Sequence, residues 1–436
     1  MNRYIKNVSM TFTAQAFGLV LSLISNILIA RFLGPHGKGV LALLFNYVSI
    51  AVVVLMFGIS ESNVFFIGNR KYKQNEILST VILHSILISS LFIVISLLFR
   101  NWITLNMLKN VEYQYFTLAL FIFPFQFVFL HQTTVLLGNK NIKAYSAASI
   151  IRALIVLAFQ IILIPKFGII GGLIAFIAGV AIINVVNFFF LFRKDPNIGL
   201  PNIKYLKNAL VFGMKSQIGL VLNFFERRLD FFIVNYFLNA SQLGLYSMAV
   251  MIAELPWYLP NAVGTILFPE VASKVDLKES YYLVARITRN TLFITFLSCL
   301  CIAIIGGIAI KLFFGERFMP SLNPLRLLMP GIVALAVNRV ICSGFSGRGR
   351  PELGTYTVIL SSIVTVVLDI LLIPKFGING AAIASTCAYL TSAIVGIILF
   401  VRISGISARG LLIVTKDDLR IYPAQFKQLI RRVRSG

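Results

Sequence analysis

Of 436 residues, 58% are hydrophobic and only 12% charged, with a mean hydropathy of +0.90. A soluble domain carries about 25% charge and about 45–50% apolar residues, which excludes that class. The formal net charge of +24 invites a nucleic-acid reading, but Lys and Arg sit in short segments between apolar runs and in the tail, and form no continuous groove for a phosphate backbone.

Arg3 and Lys6 precede the first apolar run, 8–30, which reaches Arg31 with no short signal core or small-residue cleavage site. It is expected to be the first spanning helix rather than a cleaved leader. Its Ser22, Ser25 and Asn26 recur at helical spacing, a polar stripe that either lines a path or hydrogen-bonds a neighbouring helix. Further spans are expected at 39–67, 77–99, 113–137, 142–164, 169–192, 208–235, 243–268, 284–314, 322–344, 353–373 and 378–400, twelve in all. Each meets the ~20 residues needed to cross a bilayer core. Pro124, Pro256, Pro260, Pro324 and Pro330 fall inside these runs and mark positions where a helix can bend.

The segment Ile161–Ala175 returns at Ile370–Ala384, 209 residues later, with 11 of 15 positions identical. Gly138-Asn-Lys aligns with Gly347-Arg-Gly at the same offset, and Ile29–Gly39 aligns with Val234–Gly244 at an offset of 205. Two six-span halves follow: 1–192 and 208–400, joined by a turn-rich linker at 193–207 and followed by a basic tail at 401–436. Six is even, so both halves enter from one side and form parallel repeats around a central cavity. Within the repeat, Pro165 and Pro374 stop one helix, and Gly168 and Gly377 allow the reversal into the next. With the N-terminus inside, twenty-five Lys and Arg fall on the cytoplasmic side against eight outside. Both termini are therefore expected in the cytoplasm.

The densest charge inside a span is Glu226-Arg-Arg-Leu-Asp230. Each Lys, Arg or Asp at mid-membrane costs roughly 2.5–3.5 kcal/mol on insertion scales, so the cluster must face protein, a wet cavity or the interface. Glu226 and Asp230 share a helix face, Arg227 lies three residues before Asp230, and Arg228 points about 100° away from Arg227. Three readings stay open for the two arginines: anion binding from a cavity wall, internal pairing, or an interfacial place. Arg152 and Arg339, flanked by long apolar stretches, are the next candidates for cavity cations, with Lys215 and Arg31. Arg326 is a further polar point. Glu226 and Asp230 offer charge balance. Glu254, Glu61 and Asp369 are the carboxylates available for proton or cation coupling, or as counter-ions to a buried arginine.

Phe426, Leu429, Ile430 and Val433 form an apolar stripe among basic residues, read as an amphipathic helix on anionic inner-leaflet lipids or as a disordered polybasic tail. The 38 phenylalanines are read as lipid-facing bulk. Cys299, Cys301, Cys342 and Cys387 are read as packing residues, because the C-x-C spacing and the absence of a histidine cluster fit no metal site. His36, His84 and His131 are read as isolated, and no phosphate-binding G-x-x-x-x-G-K-[ST] loop occurs. No enzyme is expected, and no cofactor beyond a proton or sodium gradient.

Ala30-Arg-Phe-Leu-Gly-Pro-His-Gly-Lys-Gly-Val-Leu-Ala-Leu resembles the opening signature of the Wzx-type polysaccharide-biosynthesis flippases of the MATE-like exporter superfamily. So do Gly244-Leu-Tyr-Ser-Met-Ala, Ala253-Glu-Leu-Pro-Trp-Tyr-Leu-Pro and Leu267-Phe-Pro-Glu-Val-Ala-Ser. The resemblance covers essentially residues 1–400. It implies an all-α inner-membrane protein of bacteria that moves undecaprenyl-pyrophosphate-linked oligosaccharides, for O-antigen or capsule, by alternating access through a cationic cavity. It also implies polysaccharide assembly proteins as partners, an ion gradient as the driving force, and no nucleic acid. Two alternatives stand beside it. A MATE-type ion-coupled small-molecule exporter shares the architecture but calls for an acidic cavity, and a membrane-embedded glycan polymerase calls for a large external loop. A lipid II flippase usually has two extra spans.

Overall fold

The computed structural model describes residues 2–109, 111–192 and 199–413, and of residues 2–12, 192, 215 and 216 the backbone alone. The linker residues 193–198 and the expected tail helix lie outside the described residues.

Among the described residues the chain is all helix and turn. In order run α1 (Asn2–Leu55), α2 (Ile59–Gly68), α3 (Gln74–Leu98), α4 (Arg100–Asn106), α5 (Tyr113–Leu120), α6 (Ile122–Gly138), α7 (Ile142–Phe192) and α8 (Ile203–Phe237). Then follow α9 (Ala240–Ala253), α10 (Tyr258–Ser273), α11 (Leu277–Ala309), α12 (Leu322–Gly347), α13 (Pro351–Phe376), α14 (Ile378–Ser404) and α15 (Ala408–Leu412). Eight helical stretches are long and apolar enough to cross a membrane, so the fold is that of a multi-span integral membrane protein.

Two of the helices are folded back on themselves. As a straight rod the 54-residue α1 would reach about 81 Å, against a hydrocarbon core of ~30 Å. Its break is Gly34, at φ 64° and ψ −170°, followed by Pro35. The 51-residue α7 breaks at Gly168, at φ 55° and ψ −128°. Gly377, 209 residues on, caps α13 at φ 59° and ψ −140°. The reversal is tight in both copies: a side chain on Gly171 would meet the Leu163 carbonyl oxygen at 2.2 Å, and one on Gly380 would meet that of Leu372 at 2.3 Å. The turns at the other ends also match, with Lys140 at φ 55° and Gly349 at φ 72°. The repeated segment is therefore a helical hairpin whose corner has no loop.

The expected span 39–67 is broken where no glycine–proline pair announced it. Phe57 (φ 49°) and Gly58 (φ 70°) separate α1 from α2. The break docks on α8: Gly58 and Gly213 touch backbone to backbone, Gln217 Nε2 donates to the Val53 carbonyl oxygen, and Ser62 Oγ donates to that of Ala209 at 2.6 Å. The expected span 243–268 is interrupted by one 3-10 turn, Leu255–Trp257, at the proline cluster.

The chain divides into two compact units, Met1–Ser247 with Leu312–Phe318, and Met248–Lys311 with Met319–Gly436. The first is packed around Ile59, Phe66, Ile77, Val81, Leu136 and Tyr205. The second is packed around Leu267, Val271, Val284, Val340, Ile341 and Phe400. Phenylalanine serves both solvents. Phe188, Phe189 and Phe190 are exposed, whereas Phe116, Phe123 and Phe127 are fully buried, and Phe92, Phe123 and Phe127 stack at 4.4 and 5.1 Å.

Inside the first unit, two repeat-related turns pack reciprocally. A β-carbon on Gly39 would lie 1.7 Å from the Ala240 carbonyl oxygen, and one on Gly244 would lie 1.8 Å from that of Pro35. Gly39 and Gly244 are equivalent at the 205 offset, as are Pro35 and Ala240, so each glycine meets the counterpart of its own neighbour, as across a two-fold axis. Gly39→Ala and Gly244→Ala are each expected to cost about 1–3 kcal/mol or more and to lower the melting temperature or the folded yield. Gly219→Ala, which meets nothing within 4 Å, serves as the matched control and is expected to leave both unchanged in a thermal-shift measurement.

Candidate functional site

The first unit holds a cavity of about 250 Å³ whose wall is made by both limbs of α1 and by α7. Because α1 folds back at Gly34, Lys38 Nζ reaches Asn26 Oδ1 across the turn. The Asn26 amide in turn donates to the Ser22 carbonyl oxygen at 2.8 Å, and Ser25 Oγ donates to Gln160 Oε1 on α7. The polar stripe of the first span thus bonds a neighbouring helix, and its residues border this cavity. From α7, Arg152 enters the same cavity, with its guanidinium 4.8 Å from the Phe129 ring centroid and a long contact of 3.4 Å to Gln126 Oε1. Its Nε is buried with no acceptor.

Lys38 is 8% exposed and Gln160 2%. Among the described residues no carboxylate pairs with Lys38 or Arg152. Two basic side chains thus line one small cavity with no carboxylate paired to them among the described residues. Arg152 was legible as a charge inside an apolar run. Lys38 was not, because Gly34-Pro35-His36-Gly37 made its surroundings read as an external loop.

A second cavity, of about 270 Å³, lies at the break between α1 and α2 and holds Glu61 and Arg227 in one wall. Glu226 and Asp230 are buried, and Asp230 is fixed by Tyr246 Oη, which donates at 2.6 Å, and by the Phe231 backbone N–H at 2.9 Å. Arg228 lies 5.6 Å from the Phe231 ring centroid and donates to the Arg227 carbonyl oxygen at 3.4 Å. Arg227 faces the cavity.

The other candidates fall elsewhere. Arg31 is exposed and donates to the carbonyl oxygens of Phe313, at 2.8 Å, and Leu312. These oxygens belong to the π-helical turn Ile310–Phe314. The Lys215 side chain lies outside the described residues. In the second unit, Arg339 on α12 is half-buried beside Gly264 of α10, where a β-carbon would come within 3.3 Å of its Nε. Arg326 Nε donates to the Ala303 carbonyl oxygen at 3.1 Å. Glu254, half-buried, ends α9 at the proline cluster. Asp369 is fully buried on α13 in a polar stripe with Thr357, Ser361 and Thr365. At the 209 offset Asp369 stands where the first half has Gln160, and Ser361 where it has Arg152. The repeat keeps its backbone and changes its charge.

Contrary to the expectation of isolated histidines, His84 and His131 pack together, with ring centroids 5.7 Å apart, and Asn63 lies 3.4 Å from His131 Nδ1. Their helices are distant in sequence, so nothing local announced the pair. No group of three His, Cys, Asp or Glu residues among those described is arranged to hold a metal.

The helical, multi-span membrane fold defines the class, and comparison with solved structures agrees with that fold. The chain is similar to the lipid II flippase MurJ in an inward closed conformation, with a TM-score of 0.77, 17% identity, and 90% of this chain and 89% of that one covered. It is similar also to a multidrug-resistance MATE transporter of the MOP superfamily in an inward-facing conformation, with a TM-score of 0.76, 16% identity, and 91% and 98% covered. The fold is shared with these two transport proteins. A family model described as polysaccharide biosynthesis protein matches residues 28–323, and the chain belongs to that family. A protein of Shigella flexneri described as an O-antigen transporter is 24% identical over 366 residues, which cover 79% of this chain and 85% of that protein.

Inorganic pyrophosphate is expected to bind at Lys38 and Arg152. At a few times its dissociation constant it should raise the melting temperature of the detergent-solubilised protein by about 2 °C. The shift should be lost in Lys38→Gln or Arg152→Gln, and a shift retained in both variants would exclude the cavity as the anion site.

Proposed function

We propose that the protein is a flippase that carries a polyprenyl-pyrophosphate-linked oligosaccharide across the bacterial cytoplasmic membrane by alternating access, for cell-surface polysaccharide assembly. It is a carrier and not a catalyst. The observation that carries this reading is the unneutralised pair of cations, Lys38 and Arg152, at one cavity. A pyrophosphate supplies the missing negative charge, and a guanidinium beside an ammonium matches its oxygens by charge-assisted hydrogen bonds. An exporter of cationic drugs has no use for such a cavity. Membership of a polysaccharide biosynthesis family and similarity to a protein described as an O-antigen transporter support the same cargo.

In this reading the backbone breaks at Gly34 and Gly168 each separate two spans. Together with α8 and the interrupted α9–α10 they bring the count to twelve, six in 1–192 and six in 208–400, joined at 193–207 and followed by the basic tail at 401–436. The termini lie in the cytoplasm by the charge bias of the loops, and the tail rests on anionic lipids. Arg227, Arg228, Arg339, Lys215 and Arg31 are secondary cationic candidates along the route. Asp369, Glu254 and Glu61 are the carboxylates available for coupling to a proton or sodium gradient or as counter-ions, with Glu226 and Asp230 balancing charge. Assembly proteins of the polysaccharide machinery are the expected protein partners.

The test is a leaflet assay in reconstituted vesicles with a labelled polyprenyl-pyrophosphate oligosaccharide. Protein-dependent exposure of the label on the far leaflet is expected, and polymer growth without transfer would establish the polymerase instead. The double variant Lys38→Gln/Arg152→Gln should insert normally and flip at least about tenfold more slowly, the effect of losing one or two charge-assisted hydrogen bonds. Full activity in that variant would contradict the assignment.

A further inference from the structure

The cavity at the α1–α2 break has a chemistry different from the basic one. Gln217 is 5% exposed and commits its Nε2 to the Val53 carbonyl oxygen, which leaves Oε1 buried without a donor. Glu61 also leaves one carboxyl oxygen, Oε2, buried without a donor. Arg227 faces the same space and spends only a long 3.5 Å contact from its Nε on the Asn223 carbonyl oxygen. Among the described residues Glu61 and Arg227 form no ion pair. Asn223 and Ser60 add polar groups at the wall, and Phe224 adds an apolar face.

We infer that this cavity is a glycan subsite that takes one sugar ring of the lipid-linked substrate, recognised through its hydroxyl groups by Glu61, Gln217 and Arg227. The inference rests on the flippase reading. A free anion at this place would be opposed by the Glu61 carboxylate, and a free cation by the Arg227 guanidinium. A neutral polyhydroxyl ligand suits both, because a hydroxyl group can donate to the Glu61 carboxylate and accept from the Arg227 guanidinium. The volume of about 270 Å³ falls just below the range of about 300–1,000 Å³ for drug-sized ligands, which suits a single ring. Both cavities border α1, one at Lys38, Ala42 and Phe45, the other at Val52, Val53 and Met56. Ten residues of helix from Ala42 to Val52 span about 15 Å, so an extended headgroup reaches the second cavity with a sugar beyond the first.

The full-length protein in lipid nanodiscs tests this with two probes, a polyprenyl pyrophosphate bearing no sugar and the same lipid bearing three glucose units. The wild type is expected to bind the glycosylated lipid about tenfold more tightly. Glu61→Leu should reduce that ratio to about one, as should Asn223→Leu, whose exposed side chain supports no packing. Glu61→Gln keeps an acceptor and should keep at least a threefold preference. Melting temperatures measured on the same samples confirm that the variants are folded. Equal binding of the two lipids by the wild type overturns the subsite, and so does a preference unaffected by Glu61→Leu. Loss in Glu61→Gln as complete as in Glu61→Leu, with dependence on sodium, would replace it by a cation site. If the wild type binds neither lipid, the flippase reading itself fails.

Discussion

Lys38 and Arg152 face one cavity inside a helical bundle with no carboxylate beside them among the described residues. Insertion scales put a charge at roughly 2.5–3.5 kcal/mol at mid-membrane and less towards the interface, a cost lowered where the charges keep water or find an anion. Much of the local structure serves to hold them there. The reversal of α1 at Gly34 brings Lys38 against Asn26, and the hydrogen bond from Ser25 to Gln160 ties that hairpin to α7, the helix that carries Arg152. Phe129 covers the guanidinium with its ring face, where a cation is attracted without an acceptor being spent.

The duplication supplies the framework and then departs from it. Gly168 and Gly377, with the close backbone approaches at Gly171 and Gly380, give the same hairpin twice. Gly39 and Gly244 pack reciprocally on each other's surroundings. The side chains that matter chemically do not repeat. Arg152 and Gln160 in the first half stand where Ser361 and Asp369 stand in the second, so one hairpin offers positive charge and its copy a buried carboxyl.

The architecture was legible because hydropathy and the repeated Ile-Pro-Lys-Phe-Gly turn depend on local sequence alone. Arg152 was visible for the same reason, as a charge with long apolar flanks. Lys38 was hidden by its neighbours, since a lysine within a run of glycine and proline reads as solvent-exposed until the chain is seen to fold back over it. The break at Phe57 was invisible because phenylalanine seldom takes a positive φ and the residues before it, Ala51–Met56, are uniformly apolar. On α8 the helical period separated Arg227 from Arg228, but which of the two met a cavity depended on α1 and α2 packing against that face. The His84–His131 contact likewise arises only where α3 meets α6.

Electron cryomicroscopy of the protein in lipid nanodiscs with a polyprenyl pyrophosphate shows whether the two basic side chains take the headgroup. Diphosphate density is expected within hydrogen-bonding reach of Lys38 Nζ and the Arg152 guanidinium. Headgroup density confined to the membrane rim, with Lys38 and Arg152 joined to protein carboxylates or facing an empty cavity, would contradict it.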